Sequence, residues 1–534
     1  VKSLTPGRLR VGVFSGYDPR PWVMRECAAG DIRVLERFVA DLRRLGTYHV
    51  VWPGERMRGD ARLCYTMELA DRYAARFAHE RVDVLVNVHQ TWTFPQLSQK
   101  VITSFIQKMR SRDARFVPRV VIASVQDSHV PGMVSGMATG GALRGLGIPY
   151  SHVFGNFREP AFLRELTVVL DDFAAAAASH GAVAGIVAGL HREHILEFGS
   201  FSLQMPTTRI DHEAVMARWG VSVENLDQQV FIDRALAMLS WKDVPGCSPV
   251  TGVRDSRVRG AVERLYDVHP EKFRAIPGRS VSRDTFAVQV AMYYAVSDIA
   301  RERGATAVTI KCQDECSARF CTCCIATSFL GNDRDLDGTH KRIIPASCET
   351  DMPTLLTQLF LSRLTGKPAG FGDFRYVETS GHRTVLAIVN CGQHPVYFAA
   401  RETDDWSTKM RMTDFPGQEH FYAAGGAAVR MRTAGGQRLT VARLGSERGR
   451  LYLAGTVLPT VHVPRTHFAR YNKAWPIIEG VVPVPDVVLA KHWPSNHLGF
   501  VYGDRTAELI ELAEQLGIGY RVWTADGRAY ENPS

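Results

Sequence analysis

Apolar and polar positions follow three successive textures along this chain. Over residues 9–178, short apolar runs at 10–14, 49–52, 82–88 and 119–124 alternate with stretches in which apolar residues return every three or four positions. Runs of that length read as strands and the stretches between them as helices, which predicts a doubly wound α/β domain over residues 1–178. After an Ala-rich helix at 173–180, the apolar run at 182–188 reads as the first strand of a second α/β domain, 179–352. Helices near 227–239 and 286–303 and a strand at 307–311 continue it. Residues 353–534 then turn to short β runs at 384–389, 396–398, 438–442 and 450–454, separated by Gly-rich turns. They predict an antiparallel barrel or sandwich. A strand at 498–502, a helix at 506–516 and a strand at 520–523 close the chain. The expected fold class is therefore two doubly wound α/β domains followed by a C-terminal mixed domain with an antiparallel β-barrel.

Within this pattern the helix expected at 354–365 stands between two carboxylates. Leu355, Leu356, Leu359, Phe360 and Leu364 recur at helical spacing and predict an amphipathic helix; Asp351 and Pro353 open it and Gly366 closes it. Three turns span about 18 Å, so the loops holding Glu349 and Asp373 must fold back before the two could share a ligand. Gly370 and Gly372 permit that turn. Two neighbouring carboxylates can bind a hard divalent cation and carry protons. On spacing alone, a helix cap at Glu349 and a strand start at Asp373 explain the pair as economically.

Composition narrows the function classes. With 534 residues the chain exceeds a single core, and two to four domains are expected. Apolar residues at 45% and charged ones at 22% are those of an ordinary globular protein. No apolar run approaches a membrane span of about 20 residues, and residues 1–16 lack the apolar core of a signal peptide, so a cytoplasmic protein is expected. The net charge of +9 is spread without a basic block, which leaves nucleic acid unneeded as a partner. Cys312, Cys316, Cys321, Cys323 and Cys324 cluster, but paired C-x2-C spacing is absent; reduced thiols are expected over a zinc site.

Ligands of doubly wound sheets meet the loops past the strands' carboxyl ends. Here those loops hold His89, Gln90 and Trp92, then Gln126, Asp127 and His129, each of which could equally be a satisfied loop residue. No G-x-G-x-x-G follows the first strand, which argues against a dinucleotide.

From Lys311 to Asp373, and again at Pro494-Ser495-Asn496-His497-Leu498, the chain resembles the L-fucose isomerase family, ketol isomerases that also act on D-arabinose and are related to L-arabinose isomerases. The resemblance implies a catalytic Mn²⁺, with Mg²⁺ or another divalent cation as substitutes. It is held by a glutamate, an aspartate 24 residues later and a histidine near the C-terminus, which fall on Glu349, Asp373 and His497. It further implies sugar contacts from Gln313, Asn496, Met205 and Trp475, and a homo-hexamer in which Trp92 covers a neighbour's site. Two departures bear on the substrate. The family's first strand carries an Arg that touches sugar where this chain has Phe14, with Arg20 and Arg25 as nearby substitutes, and the segment at 189–194 lacks the expected Arg-Ser-Met-Gly-Met pattern.

The implied chemistry suits these residue types. Exchanging an aldose for a ketose moves a proton between adjacent carbons through an enediol, so carboxylates carry protons while a Lewis acid steadies charge on two oxygens. Two carboxylates and one imidazole leave positions open for substrate, and oxygen-rich ligation suits Mn²⁺ or Mg²⁺ better than zinc. The expected function is thus a metal-dependent aldose–ketose isomerase acting on L-fucose, D-arabinose or a related sugar. A metal-enediolate enzyme for a charged sugar derivative and a non-catalytic sugar-binding protein are the alternatives.

Overall fold

The computed structural model describes residues 8–112, 116, 119–127, 129–241, 250–380, 383–419 and 422–532. Two compact units divide the chain, residues 1–181 and 182–534. In the first, strands β1 (Arg10–Phe14), β2 (His49–Val51), β3 (Val84–His89), β4 (Val120–Val125) and β5 (Ser151–Gly155) form an all-parallel sheet in the order β2-β1-β3-β4-β5. Strand order reverses between β1 and β3, as the alternating pattern of runs and helices predicts. Its core closes on residues such as Val13, Phe38, Phe77 and Val86. Phe14 belongs to that core with no exposed surface, packed on Phe77 at 6.0 Å between ring centres.

The second unit holds a parallel sheet of β6 (His194–Phe198), β7 (Ser222–Leu226), β10 (Ala307–Ile310) and β11 (Ala346–Cys348) in the order β11-β10-β6-β7. A hairpin of β8 (Leu239–Trp241) and β9 (Val250–Val253) stands beside it. Then follow β12 (Gly370–Ser380), β13 (Arg383–Val389), β14 (Arg438–Glu447), β15 (Arg450–Pro459), β16 (Ile477–Val482), β17 (His497–Tyr502), β18 (Gly519–Trp523) and β19 (Ala529–Asn532). They make an eight-stranded sheet ordered β16-β13-β12-β17-β14-β15-β18-β19. All of its ladders are antiparallel except β15 with β18. The sheet is therefore mixed, because the helix Thr506–Leu516 carries the chain from β17 across two strands in a βαβ crossover.

Several local expectations differ from what the chain does. The run 182–188 is not a strand; it ends the helix Pro160–Gly189. Val183, Ile186, Val187 and Leu190 pack on the core at helical spacing, and a short apolar run cannot by itself distinguish the two states. Residues 396–398 form a 3-10 turn after Pro395 rather than a strand. Gly370 and Gly372 lie inside β12, not in a turn. A Cβ on Gly370 would stand 2.1 Å from the Phe500 ring, and one on Gly372 2.4 Å from Ile388, so they are small for packing. Among the described residues, no helix is long and apolar enough to cross a membrane.

The helix Met352–Thr365 begins where Asp351 accepts the Thr354 N–H at 2.8 Å, and ends at Gly366 with φ of 65°. Residues 352–362 are buried on every side, so the helix is internal rather than amphipathic. Its buried donors find acceptors: Thr357 donates to the Pro353 carbonyl, and the Gln358 amide donates to the carbonyls of Ala346 and Ala369. This buried rod fixes the two strand ends that carry the site.

Candidate active site

Each side chain of the site is placed by a strand end. β11 delivers Glu349 on a tight turn in which Glu349 and Thr350 both adopt left-handed backbone, φ 59° and 47°. That conformation costs a non-glycine residue on the order of 1–3 kcal/mol, and the surrounding structure must hold it. The Thr350 hydroxyl does so in part, donating to the Ser200 carbonyl at 2.6 Å. Asp373 on β12 stands directly across one antiparallel rung from His497 on β17.

The fold thereby closes the 24-residue gap in the sequence. His497 Nε2 lies 3.2 Å from Asp373 Oδ1 and 3.4 Å from Glu349 Oε2. Its Nδ1 lies 2.6 Å from Asp351 Oδ2, which also accepts from Arg443 Nη1 at 2.8 Å. Gln313 donates to Glu349 at 3.1 Å and to the Tyr422 hydroxyl at 3.3 Å, and Asn496 donates to Asp373 at 3.1 Å. Phe371 covers the imidazole at 4.7 Å. Glu349, Asp351, His497 and Arg443 are buried, whereas Asn496 is exposed and Asp373 half-buried, so the group opens to solvent on the Asp373 side.

Three carboxylates here face one guanidinium and one imidazole. Burial raises the Glu349 carboxyl above its ordinary range, with His497 opposing. Burial likewise pushes Asp351 upward, but Arg443 and His497 overcome it and hold that group well below the carboxylate range. For His497, burial disfavours the charged ring, yet Asp373 and the hydrogen bonds to Asp351, Asp373 and Glu349 raise it well above the usual value.

Among the described residues, no group of three or more His, Cys, Asp or Glu side chains stands in a finished metal cage. The donor types present, two carboxylates and an imidazole, are those a hard divalent cation takes. Ligands at right angles around such an ion lie about 3 Å apart, and the contacts of 3.2 and 3.4 Å from His497 Nε2 come within a few tenths of that.

Met205, half-buried, precedes the turn Pro206–Thr208, whose Thr207 carbonyl accepts from Arg443 Nη2 at 2.7 Å. Trp475 is buried in an apolar cluster with Tyr422 and donates to Gln418 at 3.0 Å. Trp92 is half-buried in the loop after β3 of the first unit. Arg20, a candidate for the missing arginine, is gripped at both oxygens of buried Asp18.

Cys312, Cys316, Cys321, Cys323 and Cys324 are buried free thiols, joined by Cys348 next to Glu349. The Cys323 N–H donates to Cys312 Sγ at 3.3 Å, and Gln418 donates to Cys324 Sγ at 3.0 Å. Asp351, Arg443 and Tyr422 are the members of this assembly that pattern reading does not assign. Arg443 carries a signal, a charge inside an apolar strand run; Tyr422 carries none.

A buried carboxylate–imidazole group open on one side defines an enzyme-like centre built for polar ligands. Two family models match the chain: the first N-terminal domain of L-fucose isomerase over residues 8–185, and the C-terminal domain of L-fucose isomerase over residues 388–524. Together they cover more than half of it, and the chain belongs to the L-fucose isomerase family. Membership suggests a sugar isomerase. His497 and Asn496 lie inside the C-terminal match, whereas Gln313, Glu349 and Asp373 fall between the two matched segments. No curated protein matches the chain.

Proposed function

We propose that this protein is a divalent-metal-dependent aldose–ketose isomerase acting on L-fucose, D-arabinose or a related sugar. The observation that carries the reading is the rung pairing of Asp373 with His497, with Glu349 brought to the same imidazole nitrogen. Glu349, Asp373 and His497 would hold the cation, Mn²⁺ first and Mg²⁺ as substitute. When bound it supplies Lewis acidity to two neighbouring sugar oxygens.

The chain's own residues do the rest. One carboxylate of the Glu349–Asp373 pair removes the proton from C2 of the aldose, giving the enediolate; the O2 hydroxyl proton then passes to O1, and the proton returned to C1 completes the ketose. Burial raises the Glu349 carboxyl above its ordinary range and so favours its protonated form. Gln313 and Asn496, already aimed at the two carboxylates, orient sugar hydroxyls, and Phe371 keeps water from the far face of the ring. Met205 and Trp475 complete the sugar pocket in this reading. Trp92 of a neighbouring subunit covers it in a cytoplasmic homo-hexamer. The β16-to-β15 part of the mixed sheet is then a barrel, supported by the Thr460–Gly480 bridge and the Val461 N–H to Glu479 carbonyl bond at 2.8 Å.

The test is a screen of aldoses and ketoses with purified protein, with and without chelator. Turnover of a deoxy- or pentose sugar that is lost on chelation and regained with Mn²⁺ is expected. Undiminished turnover in a sample shown to hold no metal would overturn the reading.

A further inference from the structure

Behind the imidazole lies a second layer that the proposed chemistry does not itself require. Asp351 and Arg443 are an ion pair with side chains 0% and 1% exposed. Both Asp351 oxygens are committed. Oδ1 accepts the Thr354 N–H at 2.8 Å, and Oδ2 is shared between Arg443 Nη1 at 2.8 Å and His497 Nδ1 at 2.6 Å. A carboxylate held at both oxygens cannot rotate away. Arg443 in turn bonds the Thr354 hydroxyl and donates through Nη2 to the Thr207 carbonyl at 2.7 Å. The Thr207 hydroxyl meets Ser495 at 2.9 Å, and Ser495 also donates to Asn496. One guanidinium therefore links the imidazole to the turn Pro206–Thr208 and to the segment that carries Asn496.

An imidazole has two nitrogens, and only the one without a proton can act as a ligand. The acceptor at Nδ1 decides which it is. We propose that Asp351, locked by Arg443, is the positioning residue of the site: it keeps the proton on Nδ1 of His497 so that Nε2 is the nitrogen presented between Glu349 and Asp373. The cation affinity expected of this arrangement rests on the function proposed above; the placement of the Nδ1 proton does not. A helix-capping role alone would use only Oδ1 and would leave the ring indifferent to Asp351.

The test uses full-length protein labelled with ¹⁵N-histidine, the His497 ring being assigned by its loss in His497→Gln. At a pH high enough to leave the His497 ring a single proton, the parent should show that proton on Nδ1. In Asp351→Asn the amide donates to Nδ1 instead, so the proton should move to Nε2, as happens when an orienting aspartate becomes an amide. The Mn²⁺ dissociation constant should rise about 10–100-fold. If Asp351→Asn does not fold, the double change Asp351→Asn with Arg443→Gln removes both buried charges and is read the same way. An unprotonated Nδ1 in the parent overturns the proposal. So does an unchanged ring with Mn²⁺ affinity within about twofold of the parent, whatever the loss of thermal stability. A parent that binds no Mn²⁺ refutes the metal reading of the preceding subsection, and the ring spectra then still decide the positioning role.

Discussion

Three buried histidines among the described residues share an environment of low solvent access and differ in their polar neighbours. His89, at the end of β3, meets only hydroxyls. Its Nδ1 is 2.9 Å from Ser135 and 2.7 Å from Thr93, and burial, helped by the charge of His152, pushes it down to about 3. His394 meets no polar partner at either nitrogen, stands edge-on to Phe500 at 4.9 Å, and is likewise pushed down to about 3. His497 is equally enclosed, yet carboxylates on both sides raise it. Burial alone makes a neutral packing histidine. The neighbours decide whether a buried ring becomes a cation or a ligand.

The largest expected break of this comparison is exchange of the two kinds of ring. His497→Gln should abolish measurable turnover and lower bound Mn²⁺ from about one per chain, while His89→Gln should keep both. Metal analysis beside an activity assay reads the difference, and equal losses in the two variants would erase the distinction. Glu349→Gln comes next. It should cost at least about 10²-fold in rate, the scale of a positioned proton carrier, while a sugar alcohol still binds; metal occupancy measured in the same sample separates lost proton transfer from a lost ligand.

A smaller effect concerns stability. A histidine held at about 3 in the folded state and near 6.5 when unfolded binds its proton only in the unfolded chain between those values. Stability is then present above about pH 6.5 and falls as pH drops toward 3, by about 1.4 kcal/mol per unit for each such ring. Urea titrations between pH 6.5 and 5 should show a shallower slope for His89→Gln than for the parent. An identical slope would mean that the ring takes up its proton in the fold. Smallest is Trp92→Ala, expected to raise KM up to about tenfold, the loss of one aromatic contact, or to lower the assembly mass by size exclusion, with bound metal unchanged. A fully active monomeric parent would end the shared-site idea.

Several elements are legible in the amino-acid pattern itself. The helix Thr506–Leu516 and the strands β1, β4, β10 and β17 fall within a residue or two of their expected places. An apolar run by itself does not separate helix, turn and strand, and at 182–188 and 396–398 the packing chooses. Spacing and family likeness point to Glu349, Asp373 and His497, and the fold brings both carboxylates to the His497 Nε2, at 3.4 and 3.2 Å. The second layer is only half visible. Asp351 reads as a helix cap, which it is, but its other oxygen serves a histidine 146 residues away. Pattern reading sees local bonds and cannot see one that depends on the pairing of distant strands.

The rung that sets Asp373 against His497 also dictates where this chain tolerates changes of length. Side chains alternate across a strand, so removing a single residue between the start of β17 and its neighbours would turn the imidazole to the opposite face and bring Leu498 opposite the carboxylate. An insertion in the hairpin turns 448–449 or 525–527 moves no such pairing. Tags, linkers or reporter segments belong in those turns, and deletions in the segment just before His497 should show a tolerance that depends on odd or even number rather than on size.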